Sequence, residues 1–194
     1  NLRAGAAWSV AAGALPGALA VRAGGPVDAG RLEVQGPPGA PRSSLVAPAD
    51  PSLRPADRSA AFARQFHMDP AAWRALPAVR QVACASPCDR ALHAMLGPAV
   101  HHPMLWLAGG LHLASASTLG TPERPVLLVV DGPVHLAAPV RIHGVVWARS
   151  PRWDTPGTAD ITGAVVAQGD LSGSGATRVG PGPPTLPALR RRTG

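Results

Sequence analysis

The chain has 194 residues, 46% of them apolar, with 22 glycines, 23 prolines and a formal charge of +7. That much Gly and Pro excludes a helical bundle, and the regular Val, Leu and Ile runs exclude disorder, which goes with low hydrophobicity. The charge specifies no nucleic-acid partner: every one of the 18 basic residues is Arg, as GC-rich codons favour, and they are scattered except at Arg190, Arg191 and Arg192, without an aromatic-interleaved patch.

The first predicted unit is "ALAVRAGGPVDAGRLEVQG", Ala18 to Gly36, two short apolar runs that close on Gly. Upstream of it the Ala-rich run is broken by Gly13, Pro16 and Gly17, and no stretch anywhere reaches the roughly 18 apolar residues of a membrane span. The chain opens on Asn1 with neither Met nor a signal peptide, so it reads as a portion of a longer protein. Gly36 to Pro55 is a Pro/Ser/Ala-rich connector. From Ala56 to Leu96 the pattern becomes that of short helices: Phe62 and Phe66 fall on one face, and Asp69 followed by Pro70 is an N-cap with Pro at the first helical position. Trp73 and Leu76 belong to that helix and Pro77 ends it; "CDRALHAML" predicts a last helix with Leu92, Met95 and Leu96 inward.

Beyond the helices, four segments align beneath one another, beginning at Met104, Val126, Val145 and Ala164, with starts 22, 19 and 19 residues apart. Each opens with a short apolar strand, turns at Gly or Pro, and offers a second run closing at Gly. "LHLA" at Leu111 recurs as "VHLA" at Val134, and Gly144 marks a seam between units. A β-type period near 20 residues is that of a β-solenoid, whose coils stack their inward residues. A sandwich or jelly roll would instead need turn signals every 8–12 residues or so. The expected fold is therefore mainly β: a short single-chain β-solenoid of about five coils with an inserted α-helical segment. The expected divisions are 1–50 (N-terminal β coil and connector), 51–103 (helical insert with the cysteine pair), 104–180 (solenoid coils) and 181–194 (Pro/Arg-rich tail), with the insert covering a face or an end.

Candidate chemistry is sparse. Cys84 and Cys88 in "CASPC" suit a small disulfide ring, a pair of buried thiols, or a metal site recruiting His93 with His101 or His102; the last spacing fits no strong zinc template. His112 and His135 occupy the same place in neighbouring coils, with Ser172 equivalent in the last one, which predicts an outward polar ladder rather than a catalytic pair. Asp131, Asp154, Asp160 and Asp170 invite comparison with β-helical polysaccharide enzymes, but Asp131 and Asp170 are not equivalent in their coils and sit at Gly-containing turns. No nucleophile elbow, phosphate loop or zinc-protease motif occurs. Trp106, Trp147 and Trp153 read as packing residues. No catalytic residue and no cofactor is expected.

From the Phe-bearing helix through "AAWRALPAVRQVACASPC", "GTPERPVLLVVDG", "IHGVVWA" and "GAVVAQGDLSGSG", residues 62–189 resemble the soluble region of type IV pilus assembly proteins of the PilX-like, minor-pilin kind. The resemblance implies a non-catalytic head, other pilins and assembly proteins as partners, and a periplasmic or cell-surface location. It implies membrane attachment only through an upstream apolar helix that this chain lacks, and it implies pairing of Cys84 with Cys88. The family's usual "YDP" near the last coil is "VGPGPP" here. Two other readings compete: an extracellular β-helical protein that binds or cleaves carbohydrate, and a bactofilin-like polymer of β coils.

Overall fold

A computed structural model describes residues 20–28, 30–36, 39–54, 58–84, 87–97, 103–149, 158–173 and 175–180. Trp153, Asp154, His101, His102 and the 181–194 tail lie outside them. The described chain is mainly β, with few helices. In order it forms β1 (Val21–Ala23), β2 (Val27–Asp28), β3 (Arg31–Val34), β4 (Val46–Ala47), α1 (Arg58–Phe66), α2 (Pro70–Arg74), β5 (Val79–Ala83) and α3 (Asp89–Leu96). There follow β6 (Met104–Ala108), β7 (Leu111–Leu113), β8 (Ser117–Leu119), β9 (Val126–Asp131), β10 (Val134–Leu136), β11 (Val140–Ala148), β12 (Thr158–Ala167), β13 (Leu171–Ser172) and β14 (Ala176–Gly180).

Every pairing among these strands is parallel, and successive layers repeat one another. β6, β7 and β8 lie against β9, β10 and the start of β11; β11 lies along β12 for its whole length. Strand alternation then decides what each layer buries. Val82, Leu107, Val130, Ala148, Ala167 and Ala23 form one inward row, each in register with the next and each buried. The row shrinks from Val and Leu at one end to Ala at the other. At the turns between layers the backbone stays bonded: Leu111 N–H donates to Pro133 O at 2.9 Å, and Gln168 N–H to Ala148 O at 2.9 Å.

The layers are not in sequence order. β1, β2 and β3 lie on β12, β13 and β14, so the N-terminal unit stacks on the C-terminal one rather than before Met104. The chain reaches the other end of the stack through the helical insert and resumes there as β5, which pairs with β6. β5 is itself a departure from the sequence reading, which took this stretch as helical. Its Val79 and Val82 are buried while Arg80, Gln81 and Ala83 are exposed, and the ladder with β6 outweighs the local helical context.

The insert has two jobs. Asp69 caps α2 by accepting Ala71 N–H at 2.7 Å, with Pro70 opening the helix. α1 and α2 cover the outward row Trp106, Val129, Trp147 and Val166. Phe62 is buried between Phe66, Trp73, Trp106 and Trp147, with ring centroids 4.4–5.8 Å away. The indole N–H groups of all three tryptophans are buried without a hydrogen-bond partner among the described residues, so area and ring geometry hold this cluster. α3 closes the β5 end, with Leu92 fully buried and Met95 and Leu96 packed against the inner core.

Gly144 and Gly163 sit side by side where β11 and β12 bend. Their φ angles are +152° and +149°, and a Cβ on Gly144 would stand 1.8 Å from the Val126 carbonyl oxygen. Gly144→Ala is expected to cost about 3 kcal/mol or more in urea unfolding, from clash and backbone strain together. Gly109→Ala isolates the strain: its φ is +87° but its Cβ position is open, so about 1–2 kcal/mol is expected there. Phe62→Ala is expected to cost about 3–5 kcal/mol by the same measurement.

Candidate functional site

Among the described residues, the candidate site residues that the sequence singles out converge beside β7 and β10. Val134 and Leu136 turn into the core and leave His135 outward; Leu111 and Leu113 do the same for His112. Register sets the two histidines side by side, and their rings stack with centroids 4.9 Å apart and planes 10° off parallel. Ser172, expected in the equivalent place, is paired with Asp28 of β2 in a separate two-stranded sheet. Next to the histidines the Cys84 and Cys88 sulfurs are at disulfide distance, with Cα atoms 4.9 Å apart. Both cysteines and both histidines line a cleft of about 250 Å³ together with Gly109, Gly110 and Pro133.

Paired with each other, the cysteines are not available as the thiolates a metal would require. His93 is exposed on α3 and does not line the cleft. Among the described residues, no group of three or more His, Cys, Asp or Glu is placed to hold a metal ion. The pair instead anchors the chain as it leaves β5: Cys88 N–H donates to His112 O at 2.7 Å, and the Cys88 sulfur lies 3.5 Å from His112 N. Segment 87–89 thereby continues the β7 ladder by one more bond.

The next residue does most of the capping. The Asp89 carboxylate accepts Ala114 N–H at 3.1 Å and Ser115 N–H at 3.0 Å, and also the Ser115 hydroxyl. These are backbone donors at the end of the stack that no further strand among the described residues takes. Burial raises the Asp89 pKa, but the Ser115 hydroxyl and the Ala114, Ser115 and Asp89 N–H groups outweigh it and hold the carboxyl at about 2.

Among the described residues Asp131, Asp160 and Asp170 do not converge; Asp160 lines an open cleft of about 540 Å³ with Glu33, Arg31, Arg141 and Arg178. Asp131 ends β9 and pairs with Arg149 at 2.6 Å; Asp160 lies in β12 near Arg141 at 4.0 Å. Asp170 sits at the turn after β12, its Oδ1 occupying the place a Cβ on Gly25 would take. Three further polar residues, Arg22, Asp50 and His143, were not legible in the sequence. Arg22 follows Val166 on the helix-covered side and bonds Asp50 at 2.6 Å, with Gln65 of α1 at 3.4 Å. Burial raises the Asp50 pKa, and bonds from Ser52 and Arg22 reverse this and lower it. His143, outward in β11, has a buried Nδ1 without a partner among the described residues; burial first and Arg141 second push its pKa down, against Asp160 and Glu123. The signal for all three was the layer register, which the N-terminal unit's position alters.

No described helix is long and apolar enough to cross a membrane. No protein-family model, no curated protein and no solved structure matches this chain.

Two outcomes test these assignments. The folded, unreduced chain should show no titratable thiol, and Cys84→Ser with Cys88→Ser should lower stability by about 2 kcal/mol, the scale of closing so short a loop. Asp89 has a lowered pKa, so its stabilisation is complete above the unfolded value of 3.8 and is lost as pH falls towards about 2. Asp89→Asn should cost about 2 kcal/mol at neutral pH and flatten the stability curve across that window, leaving the smaller Asp50 contribution.

Proposed function

We propose that this chain is the structural, non-catalytic head of a type IV pilus assembly protein of the minor-pilin kind, and that its parallel layers are about five coils of a short β-solenoid. One observation carries the reading: "IHGVV" and "ITGAVV", both within the resembling stretch, lie side by side with Gly144 against Gly163. The resemblance therefore falls on one repeated structural unit and its neighbour, not on separate motifs. The use of the carboxylates supports a non-catalytic role, since Asp50, Asp89 and Asp131 are each engaged with a partner that holds the stack. The cysteine pair fits an oxidising compartment, the periplasm or cell surface. In this reading an upstream apolar helix tethers the head to the inner membrane, and the head contributes shape and surface to packing with other pilins.

The test is made in the source bacterium with the full-length gene product carrying a C-terminal epitope. It is expected in inner-membrane and sheared-pilus fractions with Cys84 and Cys88 oxidised, and deletion of the gene is expected to reduce surface pili. A soluble cytosolic product with free thiols, as a bactofilin-like polymer would give, overturns the proposal. So does unchanged piliation, or cleavage of a polysaccharide by the purified chain.

A further inference from the structure

One side of the stack carries a row of charges assembled from distant parts of the chain. Register places Thr118 beside Arg141, Arg141 beside Asp160, Asp160 beside Arg178, and Arg178 beside Glu33. Alternation turns all of them outward, because Val140, Ile142, Ala159, Ile161, Val179 and Leu32 between them are buried. The ionic members thus read plus, minus, plus, minus. Their contacts within the chain are loose, 4.0 Å for Arg141–Asp160 and 3.5 Å for Arg178–Glu33, and the side chains stay 60, 38, 50 and 59% exposed in the order of the row. Beside the central Asp160–Arg178 pair the flanking rows hold short side chains, Thr158 and Ala176 on one side and Thr162 and Gly180 on the other, with Arg31 and His143 further along them; the row lines an open cleft of about 540 Å³.

An even row of alternating sign is complementary to its own reverse. Consider a two-fold axis lying between two such faces, parallel to the strands and midway between Asp160 and Arg178. It sets Arg141 against the partner's Glu33 and Asp160 against the partner's Arg178, each contact made twice, as an isologous interface requires. An axis along the row would set like charge on like and is excluded on that ground. We propose that this face is a homodimer interface, docking on the same face of a second copy through the reversed charge row. Burying the row between two faces would bring each ion pair into lower dielectric than its present exposed neighbour offers.

Sedimentation equilibrium of the full chain is expected to give twice the chain mass at roughly 20 mM salt, with association weakened about tenfold or more at roughly 0.5 M. Arg141→Glu alone, or Glu33→Arg alone, should each weaken association about tenfold or more. Combined, they make the row minus, minus, plus, plus, which is again complementary to its reverse, so dimerisation should return. Within one chain the same double variant sets Glu beside Asp160 and Arg beside Arg178. A purely intramolecular role therefore makes the double variant the least stable of the set in urea, with no return of association. Asp160→Arg paired with Arg178→Asp provides a second restoring pair should either first variant lose its circular dichroism. A wild-type monomer at low salt, an open-ended series of masses from end-to-end stacking, or folded double variants that stay monomeric would each overturn the proposal.

Discussion

A layer can rest on the next only where its backbone passes within hydrogen-bonding distance along its whole length, and the tightest passage is the bend at Gly144 and Gly163. A Cβ on Gly163 would stand 1.8 Å from the Gly144 carbonyl oxygen, just as one on Gly144 would meet Val126. With both positions open, β11 and β12 run past each other through the bend without a break, from Val140 beside Ala159 to Ala148 beside Ala167. That uninterrupted register fixes which side chains face in, and a slip by one residue would turn the core-facing Val140, Ile142, Val146, Ile161 and Val165 outward. In the preceding layer the bend is replaced by the loop between β8 and β9, where Gly120, at φ +72°, passes 2.8 Å (by its Cβ position) from the His143 carbonyl oxygen. A glycine with positive φ thus stands at the corner in all three layers, while the chain that makes the corner changes.

Register alone leaves open strand edges at both ends, a standing invitation to unwanted pairing. The two ends are handled differently because the chain order is not the layer order. At one end β1, β2 and β3 add a layer over β12, β13 and β14, and β1 takes β4 as a further neighbour. At the other, β5 adds a strand to β6, and the Cys88 and Asp89 segment takes the backbone donors and acceptor that β7 and the turn after it expose. Connecting these ends requires a traverse, and the traverse is the helical insert. The apolar faces of α1 and α2 do not serve the inner core, as that of α3 does; they cover a second apolar row on the outside of the stack.

How much of this was legible follows from the range of each interaction. The Asp69–Pro70 helix start is local and stood in the sequence. So did the seam at Gly144, since a Gly recurring with the period marks a place where backbones approach. The equivalence of Leu111–Leu113 with Val134–Leu136 was visible as "LHLA" and "VHLA", and those segments are register partners. The position of Ala18–Gly36 was not legible, because nothing in a repeat unit states which neighbour it joins; that is decided by non-local packing over more than a hundred residues. The strand at Val79–Ala83 was hidden between two helical segments and shows its character only against β6. Asp89 was not singled out in the sequence, because its partners Ala114 and Ser115 belong to a turn that becomes adjacent only when the layers stack.

The inward rows are nearly interchangeable among Val, Leu, Ile and Ala, so what distinguishes one side of the stack from another is its outward row. Where helices lie over it, the row is Trp106, Val129, Trp147 and Val166, and it turns to Arg22 only where Asp50, Ser52 and Gln65 stand ready to bond a guanidinium. Where two histidines stack, the row is bordered by a cysteine pair that fixes the neighbouring segment. Where nothing among the described residues packs on it, the row is alternating charge. Apolar residues outside the core would be a liability without a cover, and the helices supply it. Alternating charge needs no cover, keeps the edge of each layer soluble, and still carries directional information in the order of its signs. The scaffold is set by the inward residues and the glycines, and any specificity of the protein resides in these outward rows, each of which combines residues from every layer it crosses.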